Sequence, residues 1–370
     1  MPSKQAAQSE WIAVMGRRDE PTDGVEDFCT FLGEALGDKG RPLRLTRIAW
    51  DKRGWLGALR ELRRESAEWR GKWALVQYTA LGWSRRGFPF GALATVAALR
   101  RSGVRCAVVF HEAGRQAGAQ KRWIDRVRGA CQELVIRRLY RNAEKAIFTA
   151  PLETIAWLPD VSRKAEYIPI GANMPEQAIG EARAARMGGA KTVAVYGVTG
   201  APNMAAEVET ITTVMCEAGE AVPGLRLTVF GRGACEAAKS LDGRLREAGI
   251  EMVAKGVLPV AEVMNELTAA DVLLFVRGAI TPQRGSALAG IACGLPLVGF
   301  RNGQIRKPLD EAGIEWAPMG DARELARGLV RVLNDPQRSD DLRERNAQVY
   351  KKYFSWWRIA ERYAEALAEQ

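Results

Sequence analysis

Histidine is almost missing from this 370-residue chain: there is one, His111. The six cysteines, Cys29, Cys106, Cys131, Cys216, Cys235 and Cys293, include no Cys-x-x-Cys pair, and no Asp-x-Asp pair occurs anywhere. The sequence therefore offers no divalent-ion site of the usual ligand spacing. Scattered through apolar runs, the cysteines read as reduced core residues of a cytoplasmic protein. Long hydrophobic runs are missing too. The longest uncharged stretch, Gly285 to Phe300, is interrupted by Gly294 and Pro296, and Met1 to Glu10 is polar. No secretory or membrane-spanning segment is expected. Neither a repeat of fixed period nor a low-complexity tract is present.

What the chain does have is length for two hydrophobic cores and an uneven charge. Residues 1–172 hold 30 Lys and Arg against 19 Asp and Glu, so the first half carries about +11 and the remainder about −1 of the formal charge of +10. Such a half suits nucleic acid, an anionic bilayer surface or a phosphorylated substrate. Nucleic acid is disfavoured because the cations form no recognition module.

Short apolar runs alternate with segments of helical period along the whole chain, the pattern of parallel α/β sheets. In the first half, strands are expected at Trp11–Gly16, Leu43–Ala49, Trp73–Tyr78, Arg105–Phe110 and Lys145–Thr149, with helices at Val25–Leu36, Gly54–Trp69 and Lys121–Tyr140. Gly180–Gly189 reads as a linker. A second series opens at Thr192–Tyr196 and continues through Leu225–Phe230, Glu251–Val253, Val272–Val276, Leu297–Phe300 and Ile314–Trp316.

Parallel sheets bind ligands beyond the carboxyl ends of their strands, where helix N-termini present amides and positive partial charge. Three turns in the second series are stripped of side chains: Tyr196-Gly-Val-Thr-Gly200, Phe230-Gly-Arg-Gly233 and Gly278-Ala-Ile-Thr-Pro-Gln-Arg-Gly-Ser286. Each follows a strand and precedes a helix, so Gly197, Thr199, Gly200, Gly231, Thr281, Gly285 and Ser286 are candidates to line a diphosphate. Arg277 and Arg284 add planar forks suited to phosphate oxygens. Arg232 and Lys255 are further candidates, Lys255 toward a base or ribose.

The stretch Ala270-Asp-Val-Leu-Leu-Phe275, with Gly285-Ser-Ala-Leu-Ala-Gly-Ile-Ala-Cys-Gly-Leu-Pro-Leu-Val298, resembles the nucleotide-sugar-binding region of glycosyltransferase family 4. Phe230-Gly-Arg-Gly233 looks like that family's glycine turn, and Phe354-Ser-Trp-Trp-Arg-Ile-Ala-Glu-Arg-Tyr363 like its terminal helix. The resemblance covers essentially all of residues 190–370 and, more loosely, the first half. It implies an α/β fold of the GT-B class, two Rossmann-like doubly wound parallel-sheet domains facing a cleft. On that plan residues 1–172 bind acceptor, 173–345 bind the nucleotide sugar, and 346–370 form a terminal helix packing back toward the first domain.

The family usually carries two glutamates eight positions apart, and here they align with Thr281 and Ala289. The usual Arg and Lys of the first turn are replaced around Val198, Thr199 and Gly200. Either the site is dead or it is rebuilt around Arg277, Arg284 and Ser286; two added arginines beside retained glycines favour rebuilding.

In the first half, His111 and Glu112 follow a strand end. The resemblance implies that His111 contacts the donor sugar, and neutral imidazole suits a hydroxyl partner because it both donates and accepts. Glu112 is a candidate sugar ligand or general base. Asp23 precedes a helix and suits an N-cap. In the resembled family this loop faces acceptor and leaving phosphate, which makes Asp19, Asp23 and Gly24 candidate acceptor contacts. Tyr78, Trp83 and Arg85, in a segment mixing aromatics and arginines, are read as part of the acceptor pocket.

The activity implied is transfer of a sugar from a nucleotide-diphosphate sugar to a glycan, lipid-linked or other hydroxyl acceptor, with retention of configuration and without metal or other cofactor. Charge developing on the phosphates would be met by the arginines and the helix start at Ser286. The alternatives are an inactive GT-B scaffold that binds sugar nucleotide and a GT-B epimerase. The expected setting is cytoplasmic, with peripheral contact to anionic membrane through the basic first domain.

Overall fold

The computed structural model describes residues 10–19, 23–114, 123–159, 162–175, 190–200 and 202–368. The expected linker Gly180–Gly189, residues 20–22 of the first loop and residues 121–122 of the expected helix Lys121–Tyr140 lie outside them. The chain divides into two compact units, Met1–Asn173 with Trp356–Gln370, and Met174–Ser355.

The first unit is built on strands β1 (Trp11–Met15), β2 (Leu43–Arg47), β3 (Trp73–Tyr78), β4 (Arg105–Phe110), β5 (Lys145–Phe148) and β6 (Ala165–Tyr167). They lie in the order β2-β1-β3-β4-β5-β6, every pair parallel. Helices α1 (Gly24–Asp38), α2 (Trp50–Ser66), α3 (Phe90–Arg101) and α4 (Trp123–Asn142) make the crossovers. β1 and β3 are buried along their whole length, as a parallel sheet covered on both faces requires. Alternation then divides their side chains. Ile12 and Val14 join the core under α2, α3 and α4, while Trp11, Ala13 and Met15 join the core under α1.

The second unit holds β7 (Thr192–Tyr196), β8 (Arg226–Phe230), β9 (Glu251–Ala254), β10 (Val272–Ala279), β11 (Leu297–Arg301) and β12 (Ile314–Pro318), in the order β12-β11-β10-β7-β8-β9. All described pairings are parallel. Its helices are α5 (Met204–Ala221), α6 (Ala234–Glu247), α7 (Val260–Ala269), α8 (Gly285–Ala292), α9 (Ala322–Asn334) and α10 (Pro336–Val349). The strand order reverses between β7 and β10, which is the switch point where doubly wound sheets open a crevice.

Helix α11 (Trp356–Ala366) belongs to the first unit. Ile359, Ala360 and Tyr363 are buried with Phe28, Leu32 and Leu36 of α1. Trp356 stacks on Phe31 with centroids 5.6 Å apart and donates from Nε1 to the Ala172 carbonyl at 2.6 Å. A Cβ at Gly171 would come within 2.6 Å of that indole, so only glycine admits it there. The cysteines divide. Cys29, Cys106 and Cys293 are buried, but Cys131 and Cys216 are half-buried and Cys235 is exposed. The core reading fails for Cys235 because α6 buries Ala234, Ala237, Leu241 and Leu245 instead.

Trp356→Ala is expected to destabilise the first unit by about 3–5 kcal/mol, the range for removing a large buried aromatic. Its neighbour Trp357 is 56% exposed. Its contact with Lys39 is worth about 0.5–1 kcal/mol, so Trp357→Ala should cost no more. Urea unfolding followed by circular dichroism compares them; equal losses would refute the docking of α11.

Candidate functional site

The three glycine turns meet at the switch point of the second sheet. Gly197, Gly231, Gly233 and Gly278 have φ of +81°, +90°, +73° and +76°, a region that disfavours side chains. The first two turns are tied together: Gly197 N donates to Phe230 O at 2.7 Å and Val198 N to Arg232 O at 2.9 Å. They also touch closely, since a Cβ at Gly233 would stand 2.4 Å from the Val198 carbonyl oxygen.

The third turn is brought to them by an irregularity in β10. Its register with β11 shifts between Phe275 and Ala279, and a bulge of this kind re-aims the side chains within it. Arg277, inside the bulge, reaches the first turn. Its Nε donates to Thr199 Oγ1 at 3.4 Å, and its Nη1 would lie 3.4 Å from a Cβ at Gly197. Arg284 is the N-cap of α8, with Nη2 3.9 Å from a Cβ built at Gly278. Partial burial, and then the charge of Arg277, lower the proton affinity of the Arg284 guanidinium, with Glu207 opposing them. Gly285 and Ser286 open α8, whose first intrahelical bonds run from Ala287 and Leu288 to Arg284 O.

Glu207 was not among the sequence candidates. It is buried in the first turn of α5, and its Oε2 accepts from Thr199 N at 2.7 Å. The signal was present as an acid just inside the helix that follows a glycine turn, where the helix dipole favours negative charge.

The other donor candidates are placed unevenly. Arg232 and Gly200 are exposed at their turns, and Thr281 lends its carbonyl to Arg284 N at 3.0 Å. Lys255 is ion-paired with Glu266 of α7. Ala289 is buried inside α8, so no carboxylate stands at that position. Among the described residues no group of three or more His, Cys, Asp or Glu could hold a metal ion.

In the first unit, Asp23 is an N-cap. Its Oδ1 accepts from Val25 N at 3.0 Å and Glu26 N at 3.2 Å, and its Oδ2 meets Arg47 at 3.1 Å. Arg47 also pairs with Glu26 and donates to Gly16 O. Asp19, exposed, reaches Asp23 only through its amide. A Cβ at Gly24 would meet nothing within 4 Å, leaving room for a ligand to approach the backbone.

His111 lies at the end of β4, edge-on to Phe28 with centroids 5.1 Å apart. Its Nε2 is 2.8 Å from Gln77 Oε1. Gln77 donates its amide to Leu75 O, which orients Oε1 toward the ring, so the bond needs a proton on His111 Nε2 and makes Nδ1 an acceptor. Burial pushes His111 down to about 4, against a smaller opposite effect of Asp23. Glu112 Oε2 accepts from Ala80 N at 2.9 Å. Beyond them, Ala113 and Gly114 border a cavity of about 190 Å3 walled by Ile136 and Trp157, which the sequence did not single out.

Two acceptor candidates are corrected. Tyr78 and Trp83 are 0% and 1% exposed. Tyr78 packs on Phe110, and Trp83 stacks in line with Trp55 and Trp50 and donates to Gln77 O at 2.8 Å. Their aromatic area serves the core, where it buries most. Arg85 is exposed and bonds the Asp51 carbonyl.

No family model and no curated protein sequence matches this chain. Solved structures match it over nearly its full length. A sucrose-phosphate synthase from Thermosynechococcus elongatus shares 18% identity over 97% of this chain and 98% of that one, with a TM-score of 0.69. Anabaena HepE, solved in complex with UDP and glucose, shares 12% identity over 97% and 99%, with a TM-score of 0.64. A Listeria monocytogenes protein assigned as a UDP-N-acetylglucosamine 2-epimerase shares 11% over 98% and 96%, with a TM-score of 0.60. Likeness at these identities is likeness of fold: the chain is a two-unit α/β protein of the GT-B class.

Proposed function

We propose that the protein is a glycosyltransferase that takes a sugar from a nucleotide-diphosphate sugar and passes it to a glycan, lipid-linked or other hydroxyl acceptor with retention of configuration. The observation that carries this is the pair Arg277 and Arg284 beside three glycine turns at the switch point of the second sheet. Two like charges drawn together with partial burial favour an anion between or beside them, and the amides of Gly285 and Ser286 that open α8 supply further donors. The fold neighbour solved with UDP and glucose supports a uridine diphosphate sugar as the first donor to test. The guanidiniums and the α8 start would meet the charge that develops on the leaving diphosphate, with no metal required.

In the first unit His111, neutral with an accepting Nδ1, suits a sugar hydroxyl and not a phosphate. Glu112 and Gly24 are the further groups assigned to sugar and acceptor. Asp23 acts through the position of α1, since its carboxylate is committed to helix amides and to Arg47.

A second reading, binding without transfer, is favoured by Thr281 and buried Ala289 at the positions of the resembled family's glutamates. The epimerase-like neighbour favours a third, epimerisation of the same donor. Turnover separates them: release of nucleoside diphosphate with a glycosylated acceptor for the first, binding alone for the second, and an epimeric sugar nucleotide for the third.

A thermal-shift screen of uridine, guanosine and thymidine diphosphate sugars should show a raised melting point for at least one. Calorimetry with that ligand should then find Arg284→Ala weakened by about 1.5–3 kcal/mol, the range of charge-assisted hydrogen bonds. Unchanged affinity would remove Arg284 from the site. Proton NMR of untagged protein tests the first unit, because its single imidazole gives one unambiguous titration. The Cε1 proton should titrate near pH 4. Midpoint behaviour near the ordinary histidine value of about 6.5 would contradict a partly buried neutral ring.

A further inference from the structure

In the first unit α2 packs on α3 and α3 on α4, and each begins at the carboxyl edge of the same sheet. Specific contacts join the three helices into one surface. Trp55 of α2 lies so close to Gly91 of α3 that a Cβ there would be 1.9 Å from the indole. Gln132 of α4 donates to the Gly87 carbonyl, just ahead of α3, at 3.1 Å.

This joined surface exposes large apolar side chains from all three helices: Leu56 is 75% exposed, Phe90 46%, Trp123 75% and Val127 43%. One such residue is ordinary, but four on adjoining helix starts make a patch. Helix α4 shows that the exposure is patterned. Its core face is Gly129, Gln132, Val135, Ile136 and Leu139. Trp123, Val127 and Leu134 repeat at helical spacing on the opposite side. Exposed Lys52, Arg86 and Arg126 stand among the apolar groups. Of the acids at these helix starts, Asp125 is paired with Arg128 at 3.0 Å, and Asp51 lies beside Lys52 in the first turn of α2.

We propose that this surface docks on a bilayer containing anionic lipid. Tryptophan and leucine enter the headgroup boundary while basic side chains, their stems lying along the apolar surface, meet lipid phosphates. The charge argues against a second copy of the chain, whose matching face would carry the same sign. Nucleic acid would leave the aliphatic residues without a partner. No helix among the described residues is long and apolar enough to cross a membrane, so the contact proposed is peripheral. It requires no nucleotide sugar and stands apart from the transfer reading.

The test is co-sedimentation of the full untagged chain with vesicles of phosphatidylcholine alone or mixed equally with phosphatidylglycerol. Binding is expected to the mixed vesicles only, falling as salt is raised. Lys52→Glu with Arg86→Glu and Arg126→Glu should weaken it by roughly tenfold or more. Leu56→Ser with Phe90→Ser and Trp123→Ser should weaken it even at low salt, while the circular dichroism spectra and cooperative thermal unfolding of both variants stay as in the parent and show that they fold. The proposal is overturned if the parent ignores anionic vesicles, if either variant binds them like the parent, or if the variants instead abolish self-association or capture of an acidic protein.

Discussion

Two guanidinium groups, Arg277 and Arg284, are brought together at one strand end, where burial and then the charge of Arg277 lower the proton affinity of Arg284. Arg277 is turned across the switch point by the β10 bulge and leans on Thr199. Arg284 is held at the head of α8 by its own backbone. Only Glu207 opposes the lowering of its proton affinity, and that carboxylate also holds the Thr199 amide. Glu207 thus couples the shape of the first glycine turn to the charge of the third. In the proposed reading the anion that offsets this pairing of like charges is the diphosphate of the donor, so binding energy and electrostatic relief have one source.

The first unit has the opposite electrostatic character. Its charged groups near the β1 end are already satisfied, Asp23 by helix amides and Arg47, and Arg47 in turn by Glu26 and Gly16. Its one imidazole is neutral. A surface of that kind distinguishes hydroxyl groups by hydrogen-bond geometry and does not attract them by charge. The positive excess of this unit is spread along its helices, with Arg63, Arg64, Arg100 and Arg101 in last turns as well as exposed Lys52, Arg86 and Arg126 near helix starts.

The strands were legible because a parallel sheet buried on both faces leaves apolar runs such as Trp-Ala-Leu-Val-Gln-Tyr that turns then punctuate. β6, three half-buried residues, leaves no such run. The glycine turns were legible as well, since positive φ demands glycine. What spacing does not show is direction. Tyr78 and Trp83 follow a strand end as a ligand-binding pair would, yet both face inward. Gln77 reads as a polar residue in an apolar strand, and only its bond to Leu75 reveals that it fixes the His111 tautomer. Glu207 escaped because its partner, the Thr199 amide, is backbone and has no signature of its own. A slip in β10 register is likewise invisible in sequence, although it is what brings Arg277 to Gly197.

The central claim is that residues around these turns hold a diphosphate. Hydrogen–deuterium exchange with and without saturating nucleoside diphosphate tests it most directly, because bound phosphate slows exchange of the amides that donate to it and, by suppressing local opening of the turns around it, of amides already bonded within them. The account predicts protection concentrated at residues 197–200, 231–233 and 284–288. Protection confined to other segments, or none at saturation, would contradict it.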